Sequence, residues 1–138
     1  PNDHVYLLGD VCFMEPEDAN KLLSRLMGKI HLVKGNHDRD SVLKACSKRF
    51  VWIKDYFELK HDKQKIIMGH FPFLTWNKSH HGSWNLHGHC HGTLPVDPHS
   101  RRLDVGVDCN GYLPFSFEAI GQLMAKQPFQ PAAPPGSA

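Results

Sequence analysis

Four short segments of the chain carry side chains that could bind a divalent metal, and each follows a run of apolar residues. They read LLGDV, VKGNHDR, IMGHFP and HGHCHG, and their candidate ligands and catalytic groups are Asp10, Asn36, His37, His70, His89 and His91. Carboxylate, amide and imidazole groups suit borderline divalent metals such as Mn, Fe, Zn or Ni. Two such ions close together can clamp a phosphate and lower the pKa of a bound water. The residue types therefore indicate metal-assisted chemistry on phosphate.

The elements that must position these side chains are predicted by the apolar runs before them. HVYLLGD and KIHLVKG read as buried strands, and YFELKHDKQKIIMGH reads as a hairpin that turns at residues 61–64. A weaker strand precedes His89 and His91. In α/β sheets the carboxyl ends of the strands meet at one crevice, where ligands bind. We therefore expect residues far apart in sequence to converge there.

Helical patterns alternate with the strands in the first half of the chain and return at its end. EPEDANKLLSRLMGK is predicted to be a helix that ends at Gly28, with an apolar face formed by Leu22, Leu23, Leu26 and Met27. DSVLKACSKRF is predicted to be a helix capped by Asp40 or Ser41, and SFEAIGQLMAK a helix capped by Ser116. This order predicts an α/β fold with layered mixed β-sheets flanked by helices.

Bulk composition limits the remaining possibilities. The chain has 138 residues, which suits one domain, and a net charge of +2, too small to favour long nucleic acid or an anionic membrane. Four cysteines without a CxxC pair favour reduced thiols, and hence a cytoplasmic location without membrane association. We expect a domain over residues 1–126. The segment QPFQPAAPPGSA, residues 127–138, is predicted to be a disordered Pro/Ala-rich tail.

The ordered series GD, GNHD, GH and GHxH resembles the calcineurin-like metallophosphoesterase family, and is most similar to its small bacterial and phage single-domain members. The resemblance covers roughly residues 2 to 121. It implies the family's fold and a metal-dependent phosphoesterase that hydrolyses phosphomonoesters or phosphodiesters through a metal-bound hydroxide. It also implies two divalent ions in the complete domain, with a phosphate-ester small molecule or a nucleotide as substrate.

The same resemblance implies a role for each motif residue. Asp10 would bridge both metals, Asn36, His70 and His89 would complete the second metal site, and His91 would bind the first metal. His37 would be the catalytic histidine that assists the leaving group. Arg39 would help to hold the phosphate, and Asp38 is a candidate for orienting His37.

One family motif is missing from the chain. The family opens with a strand ending in D-x-H, which supplies two ligands to the first metal, and no such strand precedes Asp10. The string DPH, Asp97 to His99, follows no apolar strand and is a poor substitute. The first metal would keep only Asp10 and His91, fewer than the three protein ligands that such sites usually have. We therefore expect a domain without its first strand, and favour a fragment of a longer product over a strand supplied by another chain or an impaired domain.

Three classes of function remain to be compared. The first is the metal-dependent phosphoesterase, and the second is a catalytically impaired domain of the same type that serves as a binding or interaction module. The third, a structural zinc module, fits poorly because the ligands are spread over some eighty positions without a thiolate pair. His87 and Cys90 are expected to have structural roles.

Overall fold

Strands and helices alternate along the first third of the chain, and a hairpin and two further strands follow. The computed structural model describes residues 2–131. Its elements, in chain order, are β1 (His4–Leu7), α1 (Pro16–Ser24), β2 (Lys29–Val33), α2 (Asp40–Ala45), β3 (Phe50–Lys54), β4 (Phe57–His61), β5 (Gln64–Met68), β6 (Trp84–His87), β7 (Arg101–Asp104) and α3 (Phe117–Lys126). The protein is mixed α/β with two sheets flanked by helices, which confirms the predicted α/β class.

The first sheet has the strand order β1-β2-β3, and all of its strands are parallel. Val5 pairs with Ile30 and Leu7 with Leu32. Because parallel strands end at the same edge, the segments that follow β1 and β2 leave the sheet side by side. Asp10 and Asn36 lie in those two segments.

The second sheet has the strand order β4-β5-β6-β7. β4 and β5 form the predicted antiparallel hairpin, which turns at Asp62 and Lys63, whereas β5, β6 and β7 run parallel. The parallel pair β5–β6 sends its following segments out at one edge, and these segments carry His70 and His89.

Two apolar clusters hold the layers together. In the first cluster, Ala19 and Leu23 of α1 pack with Ile30 and Leu32 of β2. The second cluster lies between the sheets. It contains Val33 of the first sheet, and its other buried members come from the second sheet and from α3: Ile66, Met68, Trp84, Leu86, Ile120 and Met124. Full burial of one such side chain contributes about 1.5–3 kcal/mol. Because the second cluster joins both sheets, it also brings the strand ends that carry the candidate ligands together.

Several predicted helix boundaries are wrong. α1 ends at Ser24 instead of continuing to Gly28, so Leu26 and Met27 are exposed and do not belong to its apolar face. α2 begins at Asp40 with Arg39 in the cap position, and neither Asp40 nor Ser41 caps it. The cap of α3 is confirmed, since Oγ of Ser116 accepts a hydrogen bond from the Ala119 N–H at 3.1 Å.

The end of the chain is described only in part. Residues 127–131 form no helix or strand, but the Gln130 N–H donates to the Pro98 carbonyl at 2.7 Å, and the Arg101 guanidinium lies 4.7 Å from the Phe129 ring centre. The rest of the predicted tail, 132–138, lies outside the described residues. Among the helices described over 2–131, none has the length and apolar character that crossing a bilayer requires.

Candidate metal centre

The four residues that the sequence assigns to the second metal converge in the structure. Asp10, His70 and His89 each offer one ligand atom, and these three atoms lie within 4.8 Å of one another. Asn36 joins them, because its Oδ1 lies 2.9 Å from Nε2 of His70, while Oδ2 of Asp10 lies 3.2 Å from the same nitrogen. These four residues, which we call the donor group, come from four separate segments of the chain and surround one point.

His70 is the buried centre of this group, with a side chain only 3% exposed. Its Nδ1 lies 2.7 Å from the Leu8 carbonyl oxygen. Because a carbonyl can only accept, Nδ1 carries the hydrogen and Nε2 is turned toward Asp10 and Asn36. Hydrogen bonds of this kind fix the ring orientation and tautomer of histidine ligands.

The Asp10 carboxylate is held by the loop that follows β2. Its Oδ1 accepts a hydrogen bond from the His37 N–H at 2.8 Å, which leaves Oδ2 facing His70. The backbone of Asp10 is left-handed, with φ of 54°, directly after Gly9 with φ of 93°. A left-handed aspartate is uncommon and indicates that its surroundings impose the conformation.

Asp38 imposes part of that conformation. Its buried carboxylate accepts three backbone hydrogen bonds of 2.8 Å each, from the N–H groups of Asp10, Val11 and Gly35. It therefore joins the loop after β1 to the loop after β2. We expected this residue to orient His37; instead it binds three backbone N–H groups. The only sequence signal for this role was its place two residues after Asn36.

Glycines allow the two loops to approach each other and His70 closely. A Cβ at Gly9 would lie 2.4 Å from Nδ1 of His70 and 2.7 Å from Cα of Gly35. A Cβ at Gly35 would lie 2.5 Å from Oδ1 of Asp10. Neither position has room for a side chain while the donor group keeps its arrangement.

His89 completes the group from the solvent side. It is exposed and has a left-handed backbone with φ of 67°. Its ring lies 5.2 Å from the His70 ring and 4.6 Å from the Phe71 ring, centre to centre. Phe71, which we did not predict as part of the site, thus supports one side of the His89 ring.

The other predicted site residues have different surroundings. Nδ1 of His91 lies 2.5 Å from Oδ2 of Asp108, a hydrogen bond that raises the pKa of His91 and lowers the pKa of Asp108. The ring of His37 is exposed and lies 5.4 Å from the Phe13 ring. The Arg39 guanidinium donates to the Met14 carbonyl.

His87 is the neighbour of these ligands with an evident structural role. It is buried, and its Nδ1 donates to the Gly88 carbonyl at 2.8 Å. Burial lowers its pKa and so keeps the ring neutral. This arrangement agrees with the structural role expected for it.

The donor set fits a divalent transition metal. A carboxylate oxygen, an amide oxygen and an imidazole lone pair are all acceptors, and acceptors that face one another repel unless a positive charge lies between them. Carboxylate, amide and imidazole are ligand types that Mn, Fe, Zn and Ni accept. Asp10, Asn36, His70 and His89 are the residues that would hold such an ion.

Comparison with known proteins shows relatives without an assigned activity. No protein-family model matches the chain. It is 27% identical over 131 residues to the uncharacterized protein MJ1445 of Methanocaldococcus jannaschii, a match that covers 90% of this chain and 67% of that protein. Its fold is similar to the crystal structure of AQ665, a protein of unknown function from Aquifex aeolicus, with a TM-score of 0.67, 26% identity and coverage of 88% and 76% of the two chains.

Proposed function

We propose that the protein is a metal-dependent phosphoesterase with a calcineurin-like fold, and that its substrate is a small phosphate ester or a nucleotide. The observation that carries the proposal is the meeting of three acceptor atoms, Oδ2 of Asp10, Oδ1 of Asn36 and Nε2 of His70, at one point beside His89. A divalent ion would supply the positive charge that such a point needs, in place of a proton on Nε2 of His70. When bound, it would also neutralise phosphoryl oxygens and activate water for attack on phosphorus.

The residues around the ion would divide the remaining tasks. Hydrogen bonds to His70 and Asp10 hold two ligands in place before a metal arrives, which reduces the cost of binding. His37 is the residue after the ligand Asn36, and its imidazole is exposed. The ring would therefore lie beside an ester bound to the ion and could donate a proton to the leaving oxygen. Arg39 would have to leave the Met14 carbonyl in order to reach a phosphate.

A second candidate function is a metal-binding module without catalysis. It is favoured by the surroundings of His91, whose ring is bound to Asp108 rather than to the donor group. Within residues 2–131, one cluster of three histidine or acidic residues has the spacing for a metal. A single ion can organise a surface for a partner without hydrolysing anything.

The two functions are separated by measuring metal affinity and hydrolysis on the same preparations. We expect calorimetry to show Mn²⁺ or Zn²⁺ binding, and His70→Ala to weaken it by at least about tenfold. His99→Ala, which removes an exposed histidine elsewhere, is the matched control. Hydrolysis of bis-p-nitrophenyl phosphate or p-nitrophenyl phosphate with Mn²⁺, lost in His70→Ala, would support the phosphoesterase.

The contrary outcomes are equally distinct. Metal binding without hydrolysis of either ester would favour the binding module. Equal metal affinity in the wild type and His70→Ala would reject the metal centre itself.

All four cysteines are free thiols, which supports the expected cytoplasmic location.

A further inference from the structure

A lysine-lined cavity lies at the other end of the second sheet. Its volume is about 260 Å³, and it is lined by four lysines, Lys60, Lys63, Lys65 and Lys78, together with His81. It is next to Gln64 and Ser83, at the starts of β5 and β6, whereas His70 and His89 follow the ends of those strands. A five-residue strand is roughly 16 Å long, so the cavity is separate from the metal centre.

The positive charges of this cavity, which we call the lysine cavity, are poorly compensated. Lys60 and Lys65 lie directly opposite each other in the β4–β5 hairpin, a placement that destabilises a strand pair when the charges are alike. Lys65 is paired with Glu58 at 3.5 Å. Over the described part of the chain, Lys60, Lys63 and Lys78 form no ion pair with a carboxylate. Three ammonium groups are therefore available to an anion.

Two of the lysines occupy backbone conformations that normally favour glycine. Lys63 has φ of 66° at the second turn position of the hairpin, and Lys78 has φ of 59°. A side chain in the left-handed region costs about 1–2 kcal/mol relative to an ordinary conformation. Both residues line the same cavity, so a lysine stands at two positions there where the backbone favours glycine.

Hydrogen bonds hold the walls of the lysine cavity in place. Nε2 of Gln64 donates to the Gly82 carbonyl at 3.1 Å and so joins the hairpin to the segment before β6. The Ser83 N–H donates to the Lys78 carbonyl at 3.2 Å, and the buried Ser83 hydroxyl donates to the Asn77 carbonyl at 2.7 Å. The backbone that carries the lysines is therefore ordered before a ligand arrives, and the cost of binding lies in ordering the lysine side chains.

We propose that the lysine cavity binds a polyphosphate group, such as a diphosphate or triphosphate. Lysine ammonium groups are strong phosphate partners as point charges, and several of them fit the several charges of a phosphate chain. Long nucleic acid fits less well, because no tryptophan, tyrosine or phenylalanine is among the lining residues to stack on a base. The small volume also suits a compact anion.

The test measures binding of inorganic tripolyphosphate and of ATP by calorimetry, on protein freed of metal with EDTA and then freed of EDTA by dialysis, so that neither the metal centre nor the chelator contributes. We expect both ligands to bind with similar affinity, since the phosphate chain is the shared group, and citrate to bind at least tenfold more weakly. Tighter binding of ATP than of tripolyphosphate would identify a nucleotide as the source of the phosphate chain. Citrate that binds as tightly as tripolyphosphate would overturn the proposal.

The double variant Lys63→Gly with Lys78→Gly tests the assigned residues. Tripolyphosphate affinity should fall at least tenfold, while the melting temperature should stay the same or rise because glycine suits both conformations. Lys44→Ala with Lys48→Ala removes the same charge from exposed sites outside the cavity and should keep the affinity. Unchanged binding in the first variant, or an equal loss in the second, would refute the assignment.

A second variant and an independent control complete the design. Lys60→Gln with Lys65→Gln should also weaken binding, and it removes the pair of like charges in the hairpin. His70→Ala should bind tripolyphosphate as the wild type does. The proposal thus stands or falls separately from the phosphoesterase, since the two depend on different residues.

Discussion

His37 contributes to the site twice, and the two contributions are chemically separable. Its backbone N–H holds Oδ1 of Asp10, whereas its imidazole is exposed. His37→Ala removes the ring and keeps the N–H. We therefore predict that hydrolysis of bis-p-nitrophenyl phosphate falls by about 10²–10⁴-fold, the range for loss of a general acid, with Mn²⁺ affinity within about twofold of the wild type. Kinetics and calorimetry on the same samples check this, and a parallel loss of metal affinity would show that the ring supports the metal centre instead.

The residues of the donor group could be predicted from sequence because their positions depend on the backbone. Asp10, Asn36, His70 and His89 each follow a glycine at a strand end, and parallel strands bring such positions together. The surroundings of His91 and Arg39 could not be predicted in this way. The orientation of a side chain depends on its neighbours, and these are Asp108 for His91 and the Met14 carbonyl for Arg39, distant in sequence and outside any motif.

At the scale of elements, the loops after β1 and β2 act as one unit because they touch through glycine. Gly35→Ala would place a Cβ 2.5 Å from Oδ1 and 2.6 Å from the backbone nitrogen of Asp10. We predict a loss of about 1–3 kcal/mol in the free energy of unfolding, the usual cost of forcing atoms into a packed site, and weaker metal binding. Urea unfolding and calorimetry measure both effects.

Gly88→Ala is the matched control for that variant. It lies in the same site, but its Cβ would meet the Leu8 carbonyl oxygen at 3.5 Å and His70 at 3.8 Å, which are ordinary contacts. Its effect on the free energy of unfolding should be within about 0.5 kcal/mol. Equal losses in the two variants would mean that the close approach at Gly35 is not what holds the loops together.

The aromatic layer across the first sheet predicts a pH dependence of stability. His31 is buried, its ring stacks on Tyr6 at 4.7 Å, and its Nδ1 has no hydrogen-bond partner among residues 2–131. Burial lowers the pKa of His31, and the nearby His4 and Lys29 lower it further. The fold therefore favours the neutral ring. The resulting stability is fully present above about pH 6.5, the unfolded value, and is lost as the pH falls below that value through the lowered pKa.

The measurement compares the wild type with His31→Leu, which keeps an apolar side chain of similar size and cannot titrate. Between pH 7.5 and 5.0, the free energy of unfolding should fall less in His31→Leu than in the wild type. His80→Leu, at an exposed histidine, should keep the wild-type dependence. If His31→Leu retained the full dependence, the titration would belong to other groups.

β3 shows why one element was missed in the sequence. A register shift in its pairing with β2 between Ile30 and His31 places Phe50 opposite Ile30 and Trp52 opposite His31. Phe50 then packs in the first cluster and Trp52 in the second, on the other side of the sheet. A bulge of this kind interrupts the alternation by which strands are recognised. Val51 and Ile53 are exposed although they are apolar. The run FVWIK therefore lacks the alternation of polar and apolar residues by which a strand with one exposed face is recognised.

At the scale of the whole molecule, the separation of the metal centre from the lysine cavity predicts independent energetics. A metal that binds only the folded state at a free concentration of a hundred times its Kd stabilises that state by about 2.7 kcal/mol. For a domain of this size the melting temperature should rise by roughly 10 °C, and EDTA should reverse the rise. The same rise is expected in Lys63→Gly with Lys78→Gly, because sites more than about 10 Å apart without shared partners usually act additively. In His70→Ala the rise should largely disappear. Thermal unfolding of the three proteins with and without Mn²⁺ measures this, and a smaller rise in the lysine variant would show that the second sheet couples its two ends.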